Sequence, residues 1–117
     1  MAAIVPIDAP KRTLFGLHFH NAHVNWMEKL KRRYQEDKTM SQWCKLKENN
    51  MTELIFVKRG LFYEVYHNDA DVCYVHFHMP FMKGDDAHSG IPDVSFAGKC
   101  VYLEELGYTV RVLNADE

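Results

Sequence analysis

Phe62 and Glu64 are the residues of this chain whose types and spacing most directly suggest chemistry. They stand two positions apart and follow Gly60, which supplies a tight turn after an apolar run. An aromatic wedge and a carboxylate on one protruding turn are able to probe a base step in DNA. The plain structural alternatives are a core aromatic for Phe62 and, for Glu64, a helix N-terminal glutamate placed for the helix dipole.

Basic side chains stand beside this turn and again earlier in the chain. Lys58 and Arg59 precede Gly60 and are candidates to hold phosphates. The net charge of the 117-residue chain is −2, which argues against a strong non-specific DNA binder but permits a small reader whose partner domains hold the phosphates. A helical pattern over residues 24–35 carries a further basic cluster, for which a solvated helix face is favoured over phosphate contact: Lys29, Lys31, Arg32 and Arg33.

The histidines and cysteines do not form a recognisable metal signature. The three cysteines are odd in number and widely spaced, which disfavours a disulfide framework and fits a reducing compartment. His18 with His20, and His76 with His78, would each place two imidazoles on one face if the chain were extended there. No Cys/His set is complete, so the sequence predicts no metal site.

Two functions of other classes stay open on the residues alone. Asp85 or Asp86 with His88 would suit a small metal-dependent hydrolase. Phe62 would suit a protein-interaction module that docks into a partner's groove, a mode that lacks the steep salt dependence of DNA binding. The chain contains no phosphate-binding loop, no nucleophile elbow and no nucleophile with an obvious base, so we expect it not to be an enzyme.

The elements predicted around the turn are a strand and a helix. The strand runs from Leu54 to Lys58 and the helix from Tyr63 to His76, stopping before Pro80. That order places Phe62 where the strand hands over to the helix. It places Glu64 in the first helical turn.

The rest of the chain is predicted to alternate in the same way, and its first ten residues lack the features of a signal peptide. No apolar run approaches the length of a membrane span. The fold class that follows is α/β (α+β), a single domain with a mixed β-sheet flanked by α-helices. The further predicted elements are a helix at 41–48 capped by Ser41, short strands at 81–82 and 92–96, an exposed loop at 83–90, a helix at 99–106 capped by Gly107, and a strand at 108–113.

Several ordered segments carry a resemblance to a known family. The longest is residues 60–70, GLFYEVYHNDA. Others follow at similar spacing: FMKG at 81–84, AHSGIP at 87–92 and GYTV at 107–110, with QW at 42–43 and KLK at 45–47 before the first strand. This set resembles the N-terminal mismatch-recognition domain, domain I, of the MutS family, most closely its eukaryotic homologue-six form. A Phe-x-Glu element alone would be weak, whereas the ordered set over about 41–112 is specific.

The resemblance implies roles for the residues around the turn. Phe62 matches a phenylalanine that inserts from the minor groove and stacks on a mispaired base, and Glu64 matches a glutamate that hydrogen-bonds that base. Unstacking costs a few kcal/mol, less at a mismatch, and stacking on an aromatic recovers about 1–3 kcal/mol. Met82 and Lys83 match positions close to DNA, Met82 as a second apolar contact. The predicted DNA-binding residues are Phe62, Glu64, Lys58, Arg59, Met82 and Lys83.

The resemblance also implies partners and an organisation. Mismatched double-stranded DNA is the expected ligand, in the nucleus. A second MutS-type subunit is expected to pair with the parent protein through domains outside this chain. ATP and Mg are expected in the parent's ATPase domain, so no cofactor is expected in this one. The predicted division is a lead with a basic helix at 1–40, the mismatch-recognition domain at 41–113 and the start of a linker at 114–117.

Two features leave questions for the structure. Asp85 and Asp86 are more acidic than the family's residues at this place, and near DNA their charge should weaken binding. Opposing influences also act on Glu64, because DNA phosphates favour its protonated form whereas a helix N-terminus would favour its ionised form.

Overall fold

The computed structural model describes residues 26–115 of the chain. Its elements, in chain order, are a first helix α1 with residues 26–33 in the described part, α2 (Lys38–Asn49), β1 (Glu53–Arg59), β2 (Phe62–Tyr66), α3 (Asn68–Phe77), β3 (His88–Pro92), α4 (Asp93–Glu105) and β4 (Thr109–Asn114). The predictions for residues 1–13, His18 and His20 lie outside the described residues. Within the described residues no helix is long and apolar enough to cross a bilayer.

The strands form one mixed sheet in the order β3-β2-β1-β4. β1 pairs with β2 and β2 with β3 in antiparallel fashion, whereas β1 and β4 run parallel, from Glu53 opposite Thr109 to Lys58 opposite Asn114. The parallel pair requires a crossover, which α3, β3 and α4 provide between β1 and β4. The mixed sheet with flanking helices confirms the predicted fold class.

Helices cover both faces of the sheet, and β1 explains why. Ile55 and Val57 belong to one apolar cluster, packed with residues of α1 and α2, whereas Leu54 and Phe56 belong to a second, packed with residues of α3 and α4. All four side chains are fully buried. A central strand buried on both faces reads as an unbroken apolar run rather than an alternation, which is why β1 was predictable from sequence.

A buried ion pair completes the backbone hydrogen bonding of β1 where β2 departs. The side chains of Lys47 and Asp69 are fully buried, and Lys47 Nζ lies 2.5 Å from Asp69 Oδ1. Lys47 Nζ also donates to the backbone oxygen of Glu53, and Asp69 Oδ2 accepts from the backbone N–H of Ile55 at 3.1 Å. The two side chains therefore substitute for a neighbouring strand. Burial raises the pKa of Asp69, and Lys47 opposes that shift.

The helix predicted from Tyr63 is wrong at its start. Residues 62–66 are strand β2, and α3 begins only at Asn68. The segment FYEVY is aromatic and β-branched, which suits a pleated strand. The backbone of His67, with φ 54°, then turns the chain into α3. The predicted stop before Pro80 is confirmed, because α3 ends in a left-handed C-cap at His78.

Other element boundaries also differ from prediction. α2 begins earlier than expected because the side chain of Asp37, not Ser41, caps it by accepting from Met40 N. Residues 92–96 are not a strand, since β3 ends at Pro92 and α4 begins at Asp93. Residues 81–82 form no strand either, and the predicted loop at 83–90 gives its last three residues to β3. His76 and His78 stand at the end of α3, so they do not share the face of an extended strand.

Candidate nucleic-acid interface

A tight hairpin joins β1 to β2 and carries the predicted site. Arg59 pairs with Phe62, which leaves Gly60 and Leu61 as a two-residue turn. Gly60 has φ +62°, and a glycine of positive φ at the first turn position is the pattern of a type II′ hairpin. A Cβ at Gly60 would meet no atom within 4 Å, so the requirement for glycine is conformational rather than steric. The turn therefore connects two strands, not a strand and a helix.

Phe62 is an exposed residue near the hairpin tip. Its side chain is 51% exposed and its neighbour Leu61 is 74% exposed. Phe62 lies in the sheet between Arg59 of β1 and Pro92 of β3. The core alternative for Phe62 is thereby removed. Because side chains alternate along a strand, Phe62 shares one sheet face with Glu64 and Tyr66.

Glu64 lies in the middle of β2, so the helix N-terminus invoked for its charge is absent. Its Oε1 is 2.9 Å from Arg59 Nε. The hydroxyl of Tyr66 donates a short hydrogen bond to the same oxygen, and Arg59 Nε lies 3.2 Å from that hydroxyl. Burial raises the pKa of Tyr66 to about 12, so the phenol keeps its proton at neutral pH. The carboxylate is therefore held by one hydrogen bond, from Tyr66, and by one ion pair, with Arg59, whose Nε–H donates to the Tyr66 hydroxyl.

Lys58 and Arg59, each a candidate to hold phosphates, lie on opposite faces of the hairpin. Lys58 Nζ donates to the backbone oxygen of Gly60 at 2.9 Å and lies 5.7 Å from the ring centroid of Tyr63, on the opposite face of the hairpin from Arg59. Arg59 is engaged with Glu64. The two cations therefore do not line one phosphate path.

Met82 lies beside the face that carries Glu64. Its backbone N–H donates to the backbone oxygen of His88 at 2.8 Å, and its side chain is 52% exposed. Gly90 pairs directly with Glu64, and a Cβ at Gly90 would lie 3.7 Å from Met82 Sδ. Since paired residues project to the same face, Met82 borders the surface formed by Phe62 and Glu64. Lys83 follows in the exposed loop.

The negative charge of Asp86 in the acidic loop is paired with Arg33 of α1. Arg33 Nε of α1 lies 2.7 Å from Asp86 Oδ1, and this hydrogen bond raises the pKa of the guanidinium. His88 Nδ1 donates to the backbone oxygen of Asp86, and its ring stacks on Tyr66. Asp86 and His88 are thus turned to other partners, which weakens the hydrolase alternative. Among the described residues no group of three His, Cys, Asp or Glu side chains is arranged to hold a metal ion.

Two residues that support the site, Tyr66 and His67, lie in the motif at 60–70, but the sequence analysis gave them no role. His67 Nε2 lies 2.6 Å from the Tyr34 hydroxyl, and its ring contacts Trp26 and Trp43, so it ties the end of β2 to α1 and α2. Burial lowers the pKa of His67. The signal for Tyr66 was its spacing of two from Glu64, which carries meaning only in a strand.

The fold and the exposed hairpin define a small mixed α/β domain that presents an aromatic side chain beside a held carboxylate. The chain belongs to the MutS domain I family, whose model matches residues 37–117. This confirms the family that the sequence motifs indicated.

Relatives with curated names agree. The chain is 42% identical over 76 residues to the probable DNA mismatch repair protein Msh6 of Drosophila melanogaster, which is 65% of this chain and 6% of that protein. It is 39% identical over 78 residues to human DNA mismatch repair protein Msh6, or 67% of this chain and 6% of the relative. The match to Arabidopsis thaliana MSH6 is 34% over 76 residues, again 65% and 6%. The chain thus spans only a small part of the length of these relatives.

Proposed function

We propose that this chain is the mismatch-recognition module of a MutS-type DNA mismatch repair protein and is not itself an enzyme. The observation that carries the proposal is the hairpin tip, where Phe62 is half exposed and shares a face with Glu64. Membership of the MutS domain I family supports it, as do the names of the Msh6 relatives.

The proposed mechanism uses the ring of Phe62 as a wedge at a mispaired base. Unstacking a base costs a few kcal/mol and costs least where pairing is already lost. Stacking on an aromatic recovers about 1–3 kcal/mol. Glu64 stands two strand residues further on, about 7 Å along β2, within reach of the edge of a base stacked on Phe62. Mispaired and paired sites then differ in binding energy.

In this proposal the hairpin contacts the base step, and other parts of the protein supply most of the affinity for DNA. Phosphate contacts provide most of the affinity of a DNA-binding protein, and this chain has a net charge of −2. Met82 borders the sheet face that carries Phe62 and Glu64, here called the reading face, and Lys83 follows it in the exposed loop; both are proposed as additional DNA contacts. A second MutS-type subunit, an ATPase site with its Mg and a nuclear location belong to the same proposal for the parent protein.

Substitution Phe62→Ala tests the proposal, with Leu61→Ala as the matched control at the same tip. We expect the full chain to prefer a G·T duplex over its G·C counterpart and the Phe62 variant to lose that preference, while its weak affinity for the G·C duplex persists. Binding is measured from the chemical shifts of the hairpin amides as each duplex is added. This method detects dissociation constants into the millimolar range, so it also covers non-specific binding, whose dissociation constant is usually about 10⁻⁴ M or tighter. A Phe62→Ala chain that prefers G·T as strongly as wild type would refute the assignment.

A further inference from the structure

Arg59 contacts side chains of the reading face instead of projecting freely into solvent. The sequence suggests a phosphate contact, yet its guanidinium lies against Glu64 and Tyr66, at 2.9 Å and 3.2 Å. Arg59 and Glu64 are 38% and 22% exposed, so this pair is sheltered more than most surface pairs. Arg59 is also the strand partner of Phe62. Arg59 therefore lies next to both side chains that are proposed to contact the mispaired base, Phe62 and Glu64.

The ion pair from Arg59 and the hydrogen bond from Tyr66 act on the same atom of Glu64. Arg59 Nε and the Tyr66 hydroxyl both approach Oε1. Oε2 makes no hydrogen bond to the part of the chain that the structure describes. A carboxylate fixed through one oxygen has a defined plane, and its second oxygen remains an acceptor for a base N–H.

We propose that Arg59 is a positioning residue of the mismatch-reading face, acting through Glu64. The inference rests on the proposed function and adds to it the group that sets the orientation of the carboxylate. Tyr66 supplies the second fixed point, from a buried position whose hydroxyl keeps its proton. Arg59 also offsets the charge of Glu64, whose repulsion from DNA phosphates would otherwise oppose close approach.

A matched ion pair lies at the other end of the same strand. Arg111 Nε is 2.8 Å from Glu53 Oε1, with exposures of 50% and 11%. Glu53 and Arg59 are the two ends of β1, seven residues in all, which separates them by about 20 Å. Substitution Arg111→Gln therefore removes an equivalent cation from the sheet without touching the hairpin.

The test measures two quantities for wild type, Arg59→Gln, Arg111→Gln, Glu64→Gln and the double Arg59→Gln/Glu64→Gln. One is the ratio of dissociation constants for G·C and G·T duplexes, and the other is the dependence of binding on salt. We expect Arg59→Gln to reduce the ratio about threefold to fivefold, the scale of a partly exposed ion pair. The same substitution should change the ratio little once Glu64 is Gln, and Arg111→Gln should leave the ratio at its wild-type value.

Three results would overturn the inference. An equal loss of affinity for both duplexes, with a salt slope reduced by about 1 and persisting in the Glu64→Gln background, would make Arg59 a phosphate contact. A lowered melting temperature with an unchanged ratio would make it a structural residue only. A wild-type chain without mismatch preference, or one whose preference survives Phe62→Ala, would remove the proposed function and this inference together. In the first two cases the proposed function stands while the role of Arg59 falls.

Discussion

Replacing Lys47 by Met tests whether the buried ion pair serves the backbone of β1. Lys47 and Asp69 are fully buried, and each also bonds a backbone group of β1, the oxygen of Glu53 and the N–H of Ile55. The substitution Lys47→Met leaves a buried carboxylate unpaired. Removal of one partner of such a pair costs about 3–5 kcal/mol, a large share of the usual total of about 5–15 kcal/mol.

The double variant Lys47→Met/Asp69→Leu shows whether the pair stabilises the protein through its bonds to the backbone of β1 or only neutralises two buried charges. Replacing both ions by apolar groups is often neutral or stabilising, because the desolvation cost disappears. Here the oxygen of Glu53 and the N–H of Ile55 would also lose their partners, at about 1–3 kcal/mol each. We therefore expect the double variant to remain about 2 kcal/mol less stable than wild type after the relief of desolvation.

Urea denaturation at pH 7 measures these differences, with unchanged m-values as the check on two-state unfolding. The single variant also has a pH signature. Without Lys47 the buried Asp69 should fold protonated, whereas in the unfolded chain it ionises above its ordinary value of 3.8. The deficit of Lys47→Met should therefore shrink between pH 7 and pH 4. A double variant as stable as wild type would contradict the role of the pair in completing the strand.

Three further predictions concern the hairpin, its support and the acidic loop. Gly60→Ala should cost about 1–2 kcal/mol in thermal or urea unfolding because of its positive φ alone, and no loss would contradict the turn. Burial lowers the pKa of His67 from 6.5, so the unfolded chain binds a proton at this residue more readily than the folded chain does. The stability that neutral His67 contributes should therefore be complete above about pH 6.5 and fall below that pH. His67→Gln should flatten this part of the plot of unfolding free energy against pH. Asp86→Asn should free Arg33 and tighten binding to matched and mismatched duplexes alike, with a salt slope steeper by about 1; tighter binding to G·T alone would contradict this.

The sequence predicted the parts of the fold whose signals are local. Strand β1 could be predicted because the four consecutive apolar residues from Leu54 to Val57 suit a central strand buried on both faces. The last strand was predicted at 108–113 and is found at Thr109–Asn114. The mixed sheet followed from the alternation of elements.

The segment after Gly60 could not be assigned by periodicity. Val65 and Tyr66 are adjacent and both buried, one on each face of the sheet, so β2 lacks the alternation that marks a half-exposed strand. The apolar spacing from Tyr63 onward also fits a helix, and tertiary pairing decided the outcome. That one error displaced Glu64 from a helix N-terminus to the middle of a strand.

The partners of the site residues were beyond sequence reasoning for a different reason. Arg59 meets Glu64 only because the hairpin register places Val57 opposite Glu64. Arg33 meets Asp86 across 53 residues of chain. Neither contact has a local signature, so the sequence indicated the residue types and the fold had to supply the pairs.

Photochemical cross-linking tests the central claim most directly, because it reports where the ring of Phe62 lies when the chain binds DNA. A duplex with 5-iodouracil opposite guanine presents a mispair whose uracil attaches to an aromatic ring stacked on it. We predict that the attachment maps to Phe62, that it falls sharply when the iodouracil is paired with adenine, and that it disappears with Phe62→Ala. Attachment at another aromatic residue, or equal attachment from the matched duplex, would contradict the account.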